Sequence, residues 1–466
     1  MAIEIKNICC IGAGYVGGPT MAVISEMCPN IKITVVDLNK KKIKAWNSEN
    51  LSDLPVYEKG LKNIVALRRN KNLFFSTDIQ AGIEEADMIF LSVNTPTKQT
   101  GLGAGQASDL SYVEDSTRQI AKYAKNHTII VEKSTIPVRT AETIKNILDS
   151  NQNSTTNLEN KTSFSVLSNP EFLAEGTAIN DLRNPDRVLI GGEEQEAIDS
   201  LKNIYSEWVD RSKILETNLW SAELAKLVAN AFLAQRISSV NSISALCEKT
   251  GANITEVVNA IGMDSRIGEK FLNAGPGFGG SCFKKDILNL VYLCNYYGLT
   301  EAADYWYQVI NINDWQQKRI SDLIVQKLFG TVKNKKIAIL GFSFKANTND
   351  TRESPAINIC KNLMDDGATI NIYDPKVNFE QIKSEMDNIS NSSEKHKNKY
   401  FLSKSIIEAA ENTDAIVIIT EWDEFNSIDW KNISKLMRHP AWLIDARKIH
   451  KNNVNESNIK TWELGK

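Results

Sequence analysis

Short apolar runs alternate with helical patterns through the first part of the chain. The strands that this pattern predicts are Ile5–Ile11, Ile31–Val36, Met88–Val93, Thr128–Glu132, Ser165–Ser168 and Val188–Ile190. A helix is predicted over Gly17–Met27, between the first two strands. Strands that alternate with helices fold into parallel sheets covered on both faces, so an α/β domain is expected here.

The pattern changes at Trp220. Apolar residues then recur at helical spacing as far as Thr250 without Gly or Pro, which predicts one long helix over Trp220–Thr250. A helix of that length is expected to link two domains or to form a dimer interface. Further helices are predicted over Ile254–Ile261, Asp286–Gly298 and Ala303–Leu328.

Strand-like runs return near Lys335 with KKIAILGFSF and continue at Ala368–Tyr373, Ala415–Thr420 and Trp442–Asp445. The predicted fold is therefore two Rossmann-like doubly wound parallel-sheet domains, joined by a long central helix and a helical dimerisation domain. The predicted boundaries are 1–214, 215–328 and 329–466. Two stretches rich in Asn, Ser and Lys, 150–161 and 388–399, are predicted to be loop insertions.

Composition narrows the functional classes. The 466 residues are 42% hydrophobic and 24% charged, with a net charge of -3, which indicates a globular protein without a nucleic-acid partner. No apolar run is long enough to span a membrane, and the start of the chain has no leader pattern, so a cytoplasmic protein is expected. Seven cysteines without a C-x-x-C pair, and four histidines outside metal-ligand spacing, indicate a reducing compartment and no metal.

A glycine motif supplies the first candidate site. Gly12, Ala13, Gly14, Tyr15, Val16 and Gly17 form G-x-G-x-x-G between a predicted strand and a predicted helix. Asp37 ends the second strand at the distance that the dinucleotide fingerprint requires. Glycines there let a pyrophosphate approach the backbone, and Asp37 favours a free ribose hydroxyl, so NAD is the predicted cofactor. The alternative is a tight turn that binds nothing.

Two further features suggest catalysis. Cys282 follows a glycine-rich stretch and precedes a predicted helix, where the helix dipole favours the nucleophilic thiolate. The other six cysteines lie in apolar patterns typical of a core. Lys226 lies on an apolar helix face with Asn230 one turn later, which indicates a function or, alternatively, a lysine that reaches solvent at a domain edge.

Longer motifs extend over nearly the whole chain: CCIGAGYVGGPT near the start, SVNTPT at Ser92–Thr97, EKSTIPVR at Glu132–Arg139, SNPEFLAEGTAI at Ser168–Ile179, NPDRVLIGG at Asn184–Gly192, NAFLAQRISS at Asn230–Ser239, GFGGSCF at Gly277–Phe283, LGFSFK at Leu340–Lys345, DTRESPA at Asp350–Ala356 and YDPK at Tyr373–Lys376. Together they resemble the UDP-glucose/GDP-mannose dehydrogenase family of nucleotide-sugar dehydrogenases, in its animal-like branch. The resemblance implies oxidation of the C6 alcohol of UDP-glucose to the carboxylate of UDP-glucuronate with two NAD molecules. That product would supply glycan, glycosaminoglycan or polysaccharide synthesis.

The resemblance also implies roles for individual residues. The catalytic set is Cys282 as nucleophile, Lys226, Asp286 and Asn230 for the first proton transfer and oxyanion stabilisation, and Glu171 and Thr135 for activation of water. The cofactor set adds Lys42, Val93, Asn94, Thr95, Pro96, Thr97, Ser134, Thr135, Ile136, Glu175, Cys282 and Arg352 to the glycine loop and Asp37. The substrate set is Glu171, Phe172, Leu173, Ala174, Glu175, Lys226, Asn230, Arg266, Asn273, Phe278, Gly279, Phe344, Lys345 and Arg447.

By the same resemblance, Arg266 reaches the substrate of a neighbouring subunit, so a homodimer at minimum is expected. A hexamer and feedback inhibition by UDP-xylose are expected on the same ground. Two departures are Asp445-Ala446-Arg447, where the family usually has Asp-Gly-Arg, and the end of the chain at Lys466 without the tail of animal relatives.

Two alternatives stay open. A related enzyme would oxidise another nucleotide sugar, such as UDP-N-acetylmannosamine or GDP-mannose, by the same cysteine chemistry. A binding protein that senses NAD would have a decayed catalytic site, whereas Cys282, Lys226 and Asp286 are all present.

Overall fold

The computed structural model describes residues 2–134, 137–152, 162–390, 396, 399–450, 454 and 457–466. It divides into two compact units, the first formed by Met1–Ala229 with Leu288–Tyr296 and the second by Asn230–Ile287 with Tyr297–Lys466. Among the described residues, none of the helices combines the length and apolar character that crossing a lipid bilayer requires. The division into three domains at 214/215 and 328/329 stays a prediction.

An eight-stranded sheet forms the centre of the first unit. Its strands are β1 (Asn7–Ile11), β2 (Lys32–Val36), β3 (Leu73–Ser76), β4 (Met88–Leu91), β5 (Thr128–Glu132), β6 (Phe164–Ser168), β7 (Val188–Gly191) and β8 (Ile214–Thr217). The spatial order is β3-β2-β1-β4-β5-β6-β7-β8, and the first six strands have the order of a dinucleotide-binding fold. Neighbouring strands are parallel except β6 and β7, which pair antiparallel through Ser168 and Gly191.

Helices cover the two faces of this sheet. They are α1 (Gly17–Met27), α2 (Lys40–Trp46), α3 (Leu61–Arg68), α4 (Ile79–Glu85), α5 (Ser111–Tyr123), α6 (Thr140–Gln152), α7 (Ala178–Arg183) and α8 (Gln195–Ser206). Each face has its own apolar core because side chains alternate along the strands: Ile8 and Cys10 of β1 pack on one side and Cys9 and Ile11 on the other.

The central region is helical. It contains α9 (Leu219–Thr250), α10 (Ile254–Gly262), α11 (Phe283–Tyr296) and α12 (Thr300–Lys327). With 32 residues, α9 confirms the long helix predicted from Trp220 to Thr250. The predicted helix at Asp286 begins earlier, at Phe283, directly after Cys282.

A six-stranded sheet forms the centre of the second unit. Its strands are β9 (Lys336–Leu340), β10 (Thr369–Tyr373), β11 (Tyr400–Leu402), β12 (Ala415–Ile418), β13 (Ala441–Asp445) and β14 (Ile459–Glu463). Their order is β11-β10-β9-β12-β13-β14, all parallel, with α13 (Pro355–Asp365), α14 (Phe379–Ser390), α15 (Ile406–Ala410) and α16 (Trp430–Leu436) around the sheet. The predicted fold class, two α/β domains with a helical central region, is confirmed.

The low-complexity stretches differ from the prediction at their starts. Helix α6 continues through Ser150 to Gln152, and α14 continues to Ser390, so these residues are helical and not loop. Polar residues on the outside of an amphipathic helix do not interrupt it while its inner side, such as Ile144 and Leu148, stays buried. Residues 153–161 lie outside the described residues, as do most of 391–398.

Candidate active site

The Gly12–Gly17 loop follows β1 and is tightly packed on its inner side. Gly12 has φ +111°, and a Cβ there would lie 2.2 Å from the carbonyl oxygen of Ser92. A Cβ at Gly17 would lie 2.1 Å from the carbonyl oxygen of Gly12, whereas a Cβ at Gly14 would meet nothing within 4 Å. Helix α1 begins at Gly17 without a side-chain cap. A glycine turn open on its outer side, at the start of an uncapped helix, fits a bound pyrophosphate.

Asp37 lies at the carboxyl end of β2 beside this loop. Its Oδ2 accepts from the Ala13 amide at 3.0 Å and from Lys42 Nζ at 2.9 Å, and its Oδ1 accepts from the Asn39 amide at 2.9 Å. Burial opposes ionisation of Asp37, but these hydrogen bonds outweigh it and hold its pKa below the ordinary value. An ionised Asp37 at this position fits the ribose of NAD and disfavours a 2′-phosphate.

The other predicted cofactor residues follow β4 and β5. Ser134 Oγ donates to the Val93 carbonyl at 2.7 Å, which ties the two loops together. Because β1, β4 and β5 are adjacent and parallel, the glycine loop, the Val93–Thr97 loop and Ser134 share the carboxyl edge of the sheet. Within that loop Thr95 is buried, while Asn94 and Pro96 are exposed. Thr135 and Ile136 lie outside the described residues.

Glu171 is the centre of a charged cluster in the first unit. Its Oε1 accepts from the amides of Phe172 and Leu173 at 2.8 and 3.0 Å, and its Oε2 lies 2.8 Å from Lys133 Nζ. Lys226 is 7% exposed, and its Nζ lies 5.4 Å from the centre of the Phe172 ring. Burial opposes ionisation of Glu171, but Lys133 and Lys226 outweigh it and lower its pKa. Lys226 is therefore buried beside an anion and is not a solvent-reaching lysine.

The Glu171 loop also contains two other predicted substrate residues. Glu175 is half-buried and Ala174 is exposed. The Ala174 amide donates to Asp181 at 3.0 Å, so helix α7 anchors this part of the loop.

Cys282 lies in the second unit, at the residue before α11. Its carbonyl accepts the Asp286 amide at 2.8 Å, so it caps the first turn of that helix. Asp286 and Asn230 are 1% and 5% exposed, and Asn230 Nδ2 donates to the Asp286 carboxylate at 2.6 Å. The half-buried thiol of Cys282 and the buried carboxylate of Asp286 thus lie one helical turn apart at the start of α11, and Asn230 of α9 binds that carboxylate.

The other cysteines are unpaired thiols as well. Five of them, Cys9, Cys10, Cys28, Cys247 and Cys360, are buried, as predicted for core residues, whereas Cys294 is half-exposed. Burial raises the pKa of Cys10 and of Cys28 to about 12, so both stay protonated at neutral pH. Cys282 is half-buried and lies in a loop, with its Sγ 3.5 Å from Ser281 Oγ.

The glycine-rich loop before Cys282 packs against α12 and the second sheet. Asn313 accepts from the Phe278 amide at 2.7 Å, and a Cβ at Gly279 would lie 2.5 Å from the Glu353 carbonyl oxygen. Arg447 follows β13, donates to the carbonyls of Ile419 and Phe344 at 2.7 and 3.2 Å, and lies beside Gly275.

Three other predicted substrate residues belong to this unit. Phe344 and Lys345 are half-buried, and Asn273 is exposed. Phe344 lies against Gly279 and Gly280, and Arg447 lies against Gly275, so the loop has an aromatic ring and a guanidinium beside it, which suits a nucleoside diphosphate.

Two predicted arginines occupy different settings. Arg352 binds Asp350 through its guanidinium, and its carbonyl accepts the Gly280 amide at 2.8 Å. The side chain of Arg266 is 87% exposed and binds Asp264, with Nη2 at 2.6 Å from Oδ2. Arg266 is therefore an exposed side chain whose guanidinium is paired with Asp264.

Sequence reasoning missed several buried polar groups. Lys133 contacts Asn169 and Tyr205 as well as Glu171. Glu223 of α9 accepts from the amides of Arg139 and Ala141 at 2.6 and 2.8 Å, and burial raises its pKa to about 7. The one signal available was a charged residue directly after or within an apolar run, as at Glu132-Lys133 and at Glu223.

Within the described residues, no group of three or more His, Cys, Asp or Glu side chains is arranged to hold a metal ion. The first unit has instead the features that suit a dinucleotide: an open glycine turn, a helix start without a side-chain cap, and an ionised carboxylate at the end of β2.

Comparisons with known proteins agree with this geometry. Residues 6–209 match the NAD-binding domain of the UDP-glucose/GDP-mannose dehydrogenase family, residues 220–315 its central domain and residues 338–452 its UDP-binding domain. The match to the first of these confirms the predicted NAD cofactor.

Several relatives are similar along most of their length. The UDP-glucose 6-dehydrogenase of Mus musculus is 56% identical over 452 residues, which are 96% of this chain and 90% of the mouse protein. UDP-glucose 6-dehydrogenase 4 of Arabidopsis thaliana is 53% identical over 475 residues, 99% of this chain and 97% of the plant protein. A solved UDP-glucose dehydrogenase from the archaeon Pyrobaculum islandicum is 26% identical with a TM-score of 0.82, covering 98% of both chains. The chain belongs to the UDP-glucose/GDP-mannose dehydrogenase family and is an NAD-dependent dehydrogenase.

Proposed function

We propose that this chain oxidises C6 of UDP-glucose from alcohol to carboxylate and releases UDP-glucuronate. The observation that carries the proposal is Cys282, a half-buried thiol at the start of α11 that follows a glycine-rich loop. A thiol is the group that a four-electron oxidation needs, because it can retain the intermediate aldehyde covalently. The name and high identity of the mouse and plant relatives support UDP-glucose as the substrate.

The residues that hold NAD in this proposal are the Gly12–Gly17 loop, Asp37, the Val93–Thr97 loop and Ser134. NAD supplies the oxidising equivalents, and two molecules are needed for four electrons. We assign Thr135, Ile136, Glu175 and Arg352 to the same cofactor set, and Lys42 to the adenosine end, where it already binds Asp37.

The first oxidation removes a proton from the C6 hydroxyl. We assign this step to Lys226 and Asp286 together: the buried Asp286 carboxylate can accept the hydroxyl proton, directly or through water, and the buried Lys226 side chain can stabilise the alkoxide that forms. Asn230 donates to Asp286 at 2.6 Å and so fixes the orientation of that carboxylate. A cationic or amide donor also stabilises an alkoxide or oxyanion.

The aldehyde is then captured by Cys282. Its sulfur forms a bond to C6, which becomes a thiohemiacetal, and the second oxidation converts this to a thioester. Water attacks the thioester carbonyl, the C–S bond breaks, and the products are the thiol and the C6 carboxylate. We assign the activation of that water to Glu171 with Thr135, since Glu171 is ionised and can accept a proton.

The glycine-rich loop and the second sheet hold the UDP part of the substrate in this proposal. Phe278, Gly279 and Phe344 provide close backbone and ring contacts, and Lys345 and Arg447 provide positive charge for the diphosphate. The match of residues 338–452 to the UDP-binding domain of the family supports this assignment. Phe172, Leu173, Ala174 and Asn273 complete the proposed substrate set.

We propose that the active form is a homodimer or a hexamer in which Arg266 reaches the substrate of a neighbouring subunit. Support comes from its exposure and from the large apolar side chains exposed along α9, such as Trp220, Phe232 and Leu246. The unpaired cysteines favour a reducing, cytoplasmic location. UDP-glucuronate would then supply glycan or polysaccharide synthesis.

The substrate is tested by comparing UDP-glucose, UDP-N-acetylmannosamine and GDP-mannose for NADH formation under identical conditions. UDP-glucose should give the highest kcat/KM by at least about tenfold, the ratio expected when a bulky or altered group must fit a close-packed loop. Higher activity with either of the other two would move the proposal to that substrate while leaving the cysteine chemistry in place.

The shared site is tested by mixing Arg266→Ala and Cys282→Ala subunits, each inactive alone. A mixed dimer leaves one site with both native residues, so activity should return toward about a quarter of wild type after random exchange. If exchange is demonstrated and activity stays absent, Arg266 acts within its own subunit.

A further inference from the structure

Lys133 is a buried cation in the first unit that the proposed reaction does not use. It directly follows β5 and is 3% exposed. Its ammonium has three oxygen neighbours for its three N–H donors: Glu171 Oε2 at 2.8 Å, Asn169 Oδ1 at 3.0 Å and the Tyr205 hydroxyl at 3.3 Å. A buried ammonium is costly unless it is paired and hydrogen-bonded, and Lys133 has an ion-pair contact with Glu171 and hydrogen bonds to Asn169 and Tyr205.

The residues around Lys133 are themselves fixed. Asn169 directly follows β6 and is 1% exposed, and its Nδ2 donates to the Leu189 carbonyl of β7 at 2.8 Å. Tyr205 of α8 is 3% exposed and donates from its hydroxyl to Asn169 Oδ1 at 2.7 Å. Two strand ends and one helix therefore determine where the ammonium lies, and the ammonium in turn determines the position of Glu171 Oε2.

Several titratable groups among the described residues act on Glu171. They are Lys133 from the end of β5, Lys226 from α9 and the Tyr205 hydroxyl from α8, while Arg187 stacks 3.9 Å from the Phe172 ring beside it. The side chain of Glu171 is only 13% exposed, so without a cation in contact its ionised form would be strongly disfavoured. Lys133 forms an ion pair with Glu171 at 2.8 Å, and the charge of Lys226 also favours the ionised form of Glu171.

We propose that Lys133 is a positioning residue for thioester hydrolysis, which holds Glu171 in its ionised form and in one orientation, and which Asn169 and Tyr205 hold in place. The inference rests on the proposed function, which assigns the activation of water to Glu171. Lys133 itself neither touches the substrate nor transfers a proton in this account.

The pairing is tested first, without substrate or cofactor, by a double-mutant cycle on thermal stability. Lys133→Met leaves a buried carboxylate without its contact cation and should lower the Tm clearly. Adding Glu171→Gln removes that charge, so Lys133→Met/Glu171→Gln should be more stable than Lys133→Met alone. Additive losses would overturn the pairing. If Lys133→Met does not fold, recovery of a folded protein in the double variant supports the pairing, and failure of both variants to fold counts against it.

The role in hydrolysis is tested by following decay of the covalently attached sugar in single turnovers at a series of pH values. Lys133→Gln keeps a hydrogen-bond donor but removes the cation that contacts Glu171. In this variant the pH below which the hydrolysis rate falls (the acid limb) should rise by about 1 pH unit or more. Lys133→Arg should restore the limb to near its wild-type position because it keeps the charge. Lys145→Met, which removes the lysine of the exposed Lys145–Glu193 pair, is the control and should leave the limb in place.

The possible results distinguish the positioning role of Lys133 from the proposed role of Glu171 in activating water. Partial misfolding would scale the whole profile without moving the limb. If Lys133→Gln keeps the wild-type limb, or if Lys133→Arg shifts as far as Lys133→Gln, the positioning role is wrong. If Glu171→Gln hydrolyses the thioester at the wild-type rate, the proposed function of Glu171 fails instead, whatever the result of the stability cycle.

Discussion

Gly12 and Gly14 lie two residues apart in the same loop, yet alanine should affect them in different ways. At Gly12 a Cβ would lie 2.2 Å from the Ser92 carbonyl oxygen and 2.7 Å from its carbon, at a φ of +111°. The backbone strain costs about 1–3 kcal/mol, and the overlap costs about 1–3 kcal/mol more because a backbone carbonyl cannot swing aside. Gly12→Ala should therefore destabilise the protein without any ligand present.

At Gly14 a Cβ would meet nothing within 4 Å, so the fold has room for alanine. That room is where the backbone must admit a pyrophosphate, so Gly14→Ala should weaken NAD binding by about tenfold or more, which corresponds to about 1.4 kcal/mol. The two alanine variants thus separate folding from binding within one loop, and each serves as the matched control of the other.

The assay has two parts, thermal denaturation of the ligand-free protein and titration with NAD followed by fluorescence or calorimetry. Gly12→Ala should lower the Tm by roughly 4 °C or more, whereas Gly14→Ala should keep the Tm close to wild type. If Gly14→Ala binds NAD within about twofold of wild type, the loop is not the pyrophosphate site and the reasoning is refuted.

Three other substitutions test separate parts of the account. The wild type should prefer NAD over NADP by at least about tenfold, because the Asp37 carboxylate repels a 2′-phosphate by about 1–4 kcal/mol at about 4 Å, and Asp37→Ser should reduce this preference. Equal affinities of the wild type for NAD and NADP would show that Asp37 does not face the ribose. Burial raises the pKa of Glu223 to about 7, well above that of an exposed glutamate, so Glu223 binds its proton more tightly in the folded state. Its protonation therefore stabilises the fold fully at acidic pH, and this stabilisation is lost as the pH rises through 7. Glu223→Gln should therefore gain up to about 3 kcal/mol on the wild type between pH 5 and pH 8, measured as the difference in Tm, and a constant difference would contradict this. Arg447→Met should raise the Kd for UDP-glucose about tenfold or more and leave the Kd for NAD unchanged, with Arg438→Met as the charge-matched control.

Local patterns account for the part of the fold that could be predicted from the sequence. Strands β4 and β5 consist of consecutive buried residues, so an unbroken apolar run reveals them. Strands β8 and β14 lie at the edges of their sheets and have exposed residues: Leu215 and Glu216 in β8, and Lys460 and Thr461 in β14. A search for unbroken apolar runs therefore did not predict either strand. The predicted helix range from Asp286 begins three residues late, because Lys284 and Lys285 interrupt the apolar pattern, but the prediction that Cys282 lies at the start of this helix is confirmed.

The same distinction applies to the candidate site. The Gly12–Gly17 loop and Asp37 belong to one βαβ unit, so their relation follows from spacing alone. Lys133 meets Tyr205 across 72 positions of sequence, and Arg139 meets Glu223 across 84, and such contacts exist only once the sheet has formed. Buried charges of this kind have no local signature beyond an ionisable residue at the end of an apolar run.

The central claim is that Cys282 retains the aldehyde until the second oxidation. The most direct measurement is the ratio of NADH formed to UDP-glucose consumed, with identification of the sugar products. The account predicts two NADH and one UDP-glucuronate for each UDP-glucose. Release of the free aldehyde at one NADH per sugar would contradict it.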